Sequence, residues 1–179
     1  MTSYITMRKG FAYLLITTAL LLCYAGPAFA YGIQIKTTNC VANQAMQDSA
    51  CTPGAVLTTN TKVTCVSGYT KTIRNVTTAT KKKVFKEYGI PWSLHSNYEV
   101  DHLISLEVGG SNDISNLWPE SYVIKNSSLI KDGFENHLHK EVCSGKLSLP
   151  DAQQEISGNW LLYYQQWKHP GSTASTTPK

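Results

Sequence analysis

The segment that most narrows the folds open to this chain is YEVDHLISLEVGGSNDISNLWPE, which runs from Tyr98 to Glu120. Asp101 and His102 stand side by side within an apolar run, a Gly109-Gly110 pair follows, and Asn116 leads a second short apolar stretch. Two short apolar runs around a glycine turn predict a β-turn-β element. Neighbouring residues on a strand project to opposite faces. One of the pair can therefore meet a metal ion while the other meets a substrate.

Further along, Lys131, Asp132, Glu135, Leu138, His139, Val142, Cys143, Gly145, Leu149, Ala152 and Gln153 form a second patterned segment. The chain resembles the ββα-metal fold of the HNH nucleases in its Asp-His pair, Gly-Gly turn and Asn116. It is more closely similar to small secreted bacterial proteins that carry the string DHLI-L-GG, then NLWPE, then this second segment. The likeness covers the second half of the chain strongly, and it is fainter upstream at Cys65–Thr70 and Arg74. Separated matches in one order are more specific than a lone two-residue motif.

That resemblance implies an α+β fold: a small ββα-metal core at about 96–145 with flanking helices and a disulfide-stapled N-terminal region of loops and strands. It implies His102 as general base and Asp101 as metal ligand. Asn116 would orient the imidazole through its side-chain carbonyl, or else ligate the metal. The remaining helix-borne ligand departs from the common spacing. Asn126 is nearest by count, whereas Glu135 and then His139 are better placed by helical face. Arg74 recurs in the resemblance and, with Lys131, is a substrate-binding candidate; a structural ion pair is the other reading of Arg74. One divalent ion is expected, Mg²⁺ first: carboxylate, amide and water ligands suit Mg²⁺ or Mn²⁺, and a larger imidazole share suits Zn²⁺ or Ni²⁺.

The N-terminus reads as a secretory signal over 1–30. Arg8 and Lys9 precede an apolar stretch from Phe11 to Tyr24, and Ala28-Phe29-Ala30 is a small-residue cleavage pattern. The apolar run is short for a membrane span and Gly26-Pro27 follows it, which disfavours a retained anchor. The expected address is periplasmic or secreted, without stable membrane association. The mature chain would keep 14 basic against 12 acidic residues, a net charge of +2. No polybasic arm is present, so contact with nucleic acid must rest on a local, salt-sensitive patch.

Of the 5 cysteines, Cys23 leaves with the signal. Cys40, Cys51, Cys65 and Cys143 remain, an even number that suits two disulfides in an exported protein. Three pairings are open. The reading taken is Cys40–Cys51 as a local loop and Cys65–Cys143 as a long-range staple. No two cysteines have the spacing of a zinc knuckle.

The 179 residues allow a single domain, placed at 31–168, with a polar tail over 169–179 expected to be disordered. Residues 31 to about 70 read as loops and short strands. Thr77 or Thr78 caps a helix to Tyr88, stopped by Gly89 and Pro91. Its Lys81, Lys82, Lys83 and Lys86 form either a phosphate-contacting patch or an ordinary solvated face. A second helix covers about Ser127 to Val142, with Ile130, Phe134, Leu138 and Val142 inward. On its other face, Asp132, Glu135 and His139 look towards the β-turn-β element. A last amphipathic helix covers about Asp151 to Trp167, its aromatic stripe read as core rather than as a stacking surface. Glu120 is a weak site candidate, His137 is read as surface, and His95 is unassigned.

Phosphodiester hydrolysis needs a deprotonated water, neutralisation of phosphate charge and help for the leaving oxygen. These residues fit an exported metal-dependent endonuclease acting on nucleic acid, DNA first and RNA also open, with little sequence preference. The alternative is a non-catalytic exported module, binding nucleic acid or structural, that keeps the ββα shell. Oligomeric state is not legible.

Overall fold

Thr77 begins a ten-residue helix because its hydroxyl accepts a hydrogen bond from the Thr80 amide, which satisfies a donor the helix cannot. The helix runs Thr78–Glu87, and Gly89 takes a left-handed φ of 64° just beyond it. This computed structural model describes residues 32–43, 45–122 and 127–171. The segment 1–30 expected to be a signal, Asn126 and positions 172–179 of the expected tail lie outside the described residues.

The element order is α1 (Thr61–Thr64), α2 (Tyr69–Ile73), α3 (Thr78–Glu87), β1 (Tyr98–His102), β2 (Leu117–Ser121), α4 (Ser127–Cys143), α5 (Leu149–Ser157) and α6 (Trp160–Lys168). Strands β1 and β2 pair antiparallel, with Asp101 opposite Trp118 and His102 opposite Leu117. The protein is thus α+β: a two-stranded ribbon among helices, held by two disulfides.

Two expectations are corrected. The region from 31 to 70 is not all loop and strand, because Asn60 caps the short helix α1 through its side chain and α2 begins at Tyr69. The last helix is two helices. Gly158 ends α5, and the Asn159 side chain caps α6 by accepting from the Leu162 amide. An amphipathic period continues across such a break, so the pattern alone hides it.

The ribbon separates two apolar clusters. Leu103 packs with Val84, Tyr88, Leu117, Trp118 and the Cys40–Cys51 bridge. Its neighbour Ile104 packs on the other side, with Phe134, Leu138, Ile156 and Trp160. Both residues are fully buried, so this stretch anchors both halves of the core. The glycine pair is demanded by close approach. A Cβ on Gly110 would lie 1.8 Å from the Ile104 carbonyl oxygen, and one on Gly109, at φ 83°, would lie 2.3 Å from that of Thr58. The loop at 55–58 docks on this turn through Leu57 N–H to Gly109 O and Ser111 N–H to Ala55 O.

Cys40 is bonded to Cys51 and Cys65 to Cys143, across sequence separations of 11 and 78 residues. Chain-entropy reasoning gives about 3 kcal/mol for the short loop and about 4.5 kcal/mol for the long one. The long bridge ties α1 to the end of α4. Among the described residues no helix is long and apolar enough to cross a membrane.

Candidate functional site

Strand alternation sends the two side chains of the Asp101-His102 pair into different surroundings. His102 is 3% exposed. Its Nε2 lies 3.0 Å from Asn112 Oδ1. The Asn112 amide donates to the Ile73 carbonyl at 2.7 Å, and its oxygen also accepts from the Asn75 amide. Those partners fix which end of Asn112 faces the ring. Nε2 must carry the hydrogen, and Nδ1 keeps the lone pair. Burial pulls the imidazole pKa below 6.5; the Asn112 hydrogen bond and Asp101 oppose this, while Arg74 and Lys131 add to it. The ring is therefore neutral at pH 7.

His102 lines a cleft of about 420 Å³ together with Arg74, Lys81, Trp92, His95 and Glu99. Arg74 is exposed and has no ion pair within the described residues, so the salt-bridge reading of it does not hold there. The cleft thus combines a neutral imidazole with two cationic side chains and the Glu99 carboxyl, which interacts with Arg74.

Asp101 looks the other way. Its Oδ2 accepts from Lys131 Nζ at 2.7 Å, the same ammonium reaches the His102 carbonyl oxygen at 2.8 Å, and Glu135 Oε1 completes the set. Lys131 is 1% exposed. Burial alone would lower its pKa, but Asp101 and Glu135 outweigh that and raise it. Burial pushes the Glu135 carboxyl up more than the ammonium draws it down. Lys131 and Glu135 are one helical turn apart on α4, which allows both to meet Asp101.

This arrangement corrects several site assignments. Lys131 is not a substrate contact, since its charge is enclosed by protein. Asp101 and Glu135 do come together, but around an ammonium. His139 joins neither of them: its Nε2 lies 3.2 Å from the Thr64 carbonyl oxygen, beside Cys65 and Cys143. The donor set Asp101, Glu135 and His139 therefore does not fit a divalent ion as arranged, because a cation of the protein's own fills the position between the carboxylates.

Asn116 neither orients the imidazole nor faces a metal. Its Oδ1 accepts from the Ile104 and Ala55 amides, and its Nδ2 donates to the carbonyls of Ile104 and Ser111. Every contact is to backbone and the residue is fully buried, so it clamps the Gly-Gly loop. The orienting role falls to Asn112, which sequence reasoning missed. Asn112 directly follows the glycine turn and Ser111, but no periodicity marks it. Glu120 is buried in β2, opposite Glu99. His137 stacks on Trp167 rather than standing free.

A second donor group consists of Cys65, His139 and Cys143, whose candidate atoms all lie within 4.8 Å of one another. These residues could hold a metal, although both sulfurs are engaged in the disulfide. Searches against protein-family models, curated proteins and solved structures found no match to this chain.

Proposed function

We propose that this protein is an exported nuclease of the HNH type that hydrolyses phosphodiester bonds in the His102 cleft. The observation that carries this reading is the neutral His102 imidazole, its Nε2 hydrogen tied to Asn112, in a cleft shared with Arg74 and Lys81. The order β1, β2, α4 and the two disulfides support the ββα reading and an oxidising address.

In the mechanism, Nδ1 of His102 takes a proton from water as the resulting hydroxide attacks phosphorus. Arg74 and Lys81 neutralise charge on the phosphate as it builds up. The bond to the leaving oxygen breaks, and that oxygen acquires a proton from solvent. Asn112 holds the imidazole in the productive tautomer. No step is assigned to a metal, because Lys131 occupies the place between Asp101 and Glu135.

One observation favours a second reading, a non-catalytic nucleic-acid-binding module. The same buried Lys131 closes the carboxylate position that a metal-dependent nuclease would use. Incubating purified protein with supercoiled plasmid decides between them, with Mg²⁺, Mn²⁺ or Zn²⁺ added or a chelator present. Nicking is expected; intact plasmid in every arm would eliminate the nuclease. Nicking lost only with chelator would assign a required divalent ion, Mg²⁺ being the first to test. Nicking that survives chelation would assign the chemistry to the side chains.

A further inference from the structure

We infer that the His102 cleft receives an unpaired nucleotide, its base stacked against the Trp92–His95 pair and its phosphate held by Arg74 and Lys81. This rests on the nucleic-acid reading above and adds the form of the substrate.

The His95 ring lies parallel to the Trp92 indole, with centroids 4.5 Å apart and planes 9° from parallel. Its Nδ1 donates to the Trp92 carbonyl oxygen at 2.9 Å; a carbonyl only accepts, so the tautomer is set and the ring is pinned. Trp92 is braced edge-on by buried Phe85 at 5.2 Å, and the Lys82 ammonium sits 5.5 Å from its centroid. Both stacked residues line the cleft, and His95 is exposed. The stack is held from two sides, by the Trp92 carbonyl on His95 and by Phe85 against the indole.

The molecule contains its own comparison. His137 and Trp167 form a similar stack, at 4.1 Å and 8°, with Lys168 over the indole. That pair lies away from His102, among the aromatic residues Phe134 and Tyr164 of the α4–α6 contact. A stacked pair alone therefore implies no ligand. The distinguishing feature of Trp92–His95 is its place in one cleft with Arg74, Lys81 and the catalytic imidazole.

Aromatic platforms flanked by cations bind single strands with little sequence preference, because every base has a π face. A base within a duplex has both faces covered by its neighbours and must be extruded to reach such a platform. A cleft of about 420 Å³ has the size of a small-ligand site and not of a trough for a double helix. Single-stranded or locally opened nucleic acid is therefore the preferred substrate.

The test measures fluorescence anisotropy of a labelled single-stranded DNA 12-mer and of the matching duplex. The full chain is used in a His102→Ala background to keep strands intact. The single strand is expected to bind roughly tenfold or more tightly. His95→Ala and Trp92→Leu should each weaken single-strand binding by roughly tenfold and leave duplex binding unchanged. Arg74→Gln and Lys81→Gln should each flatten the salt dependence by roughly 0.7 in slope, and His137→Ala should change nothing. Equal affinity for the two forms, or undiminished single-strand binding by His95→Ala, overturns the inference; His95→Ala decides alone if Trp92→Leu does not fold. Plasmid nicking without single-strand preference would sink the stacking platform and spare the nuclease. Single-strand preference in a protein that cleaves nothing would do the reverse.

Discussion

The two faces of the Asp101-His102 pair differ more than their adjacency suggests. On the Asp101 face, a buried lysine is held between two carboxylates and the His102 carbonyl oxygen, and the space is closed. On the His102 face, a neutral ring whose Nδ1 has no hydrogen-bond partner among the described residues borders an open cleft lined by Arg74, Lys81 and Glu99. A strand gives both faces the same backbone, so the difference comes entirely from what packs against each side. Helix α4 supplies its own cation to one, whereas α2 and α3 leave the other open. The first face is closed around an ion pair, and the second is the one on which the proposed chemistry would take place.

Substitutions at each face should therefore fail in different ways. His102→Ala carries the largest expected effect, a loss of roughly 10²- to 10⁴-fold in turnover per folded molecule, beyond the lowered thermal melt that truncating a buried ring brings. Full activity in that variant would remove His102 from the mechanism. Lys131→Met should instead cost about 3 kcal/mol of stability, read by urea titration, because two carboxylates lose their shared counter-charge. Glu135, already raised by burial, would lose the ammonium that draws it down and titrate higher still. The deficit should be greatest at neutral pH and shrink on acidification, as the carboxyls become protonated. A deficit independent of pH would deny the ion-pair origin.

Asn116→Ala should lower stability by about 2 kcal/mol through unsatisfied buried backbone groups, while the folded fraction keeps its turnover. Loss of turnover at unchanged stability would return Asn116 to the catalytic set. Asn112 separates positioning from packing more finely. Asn112→Leu should lower the rate by about tenfold and move the acid limb of the rate profile down, since a contact that favours the charged ring is removed. Asn112→Asp should move that limb up.

The smallest expected effect concerns the native protein and pH. His102 has its folded pKa below 6.5, so the unfolded chain binds more protons at this site between the folded value and 6.5. Its contribution to stability is complete above 6.5 and is lost as pH falls through that window. The acid limb of activity should likewise lie below 6.5. A limb above 6.5 would contradict the neutral, Asn112-held imidazole.

Much of the site's framework was legible because it obeys local rules. Two apolar runs around Gly109-Gly110 required a turn, Thr77 required a helix start, and the stripe on 127–143 required an inward face. The roles of Asn116 and Lys131 were not legible. An asparagine carries the same letters whether its amide meets four backbone groups or an imidazole. A lysine on a helix is ordinarily a solvated cation, and only the closing of β1 against α4 buries it.

The sequence by itself determined the ribbon, the principal helices and the alternation that divides Asp101 from His102, because these follow from side-chain period and backbone sterics within a few residues. Tertiary structure alone decided which asparagine holds the imidazole, which cation neutralises Asp101, and that Trp92 and His95 share the cleft with Arg74. Each of those pairings joins groups on different elements. Their geometry exists only once the core has drawn those elements together.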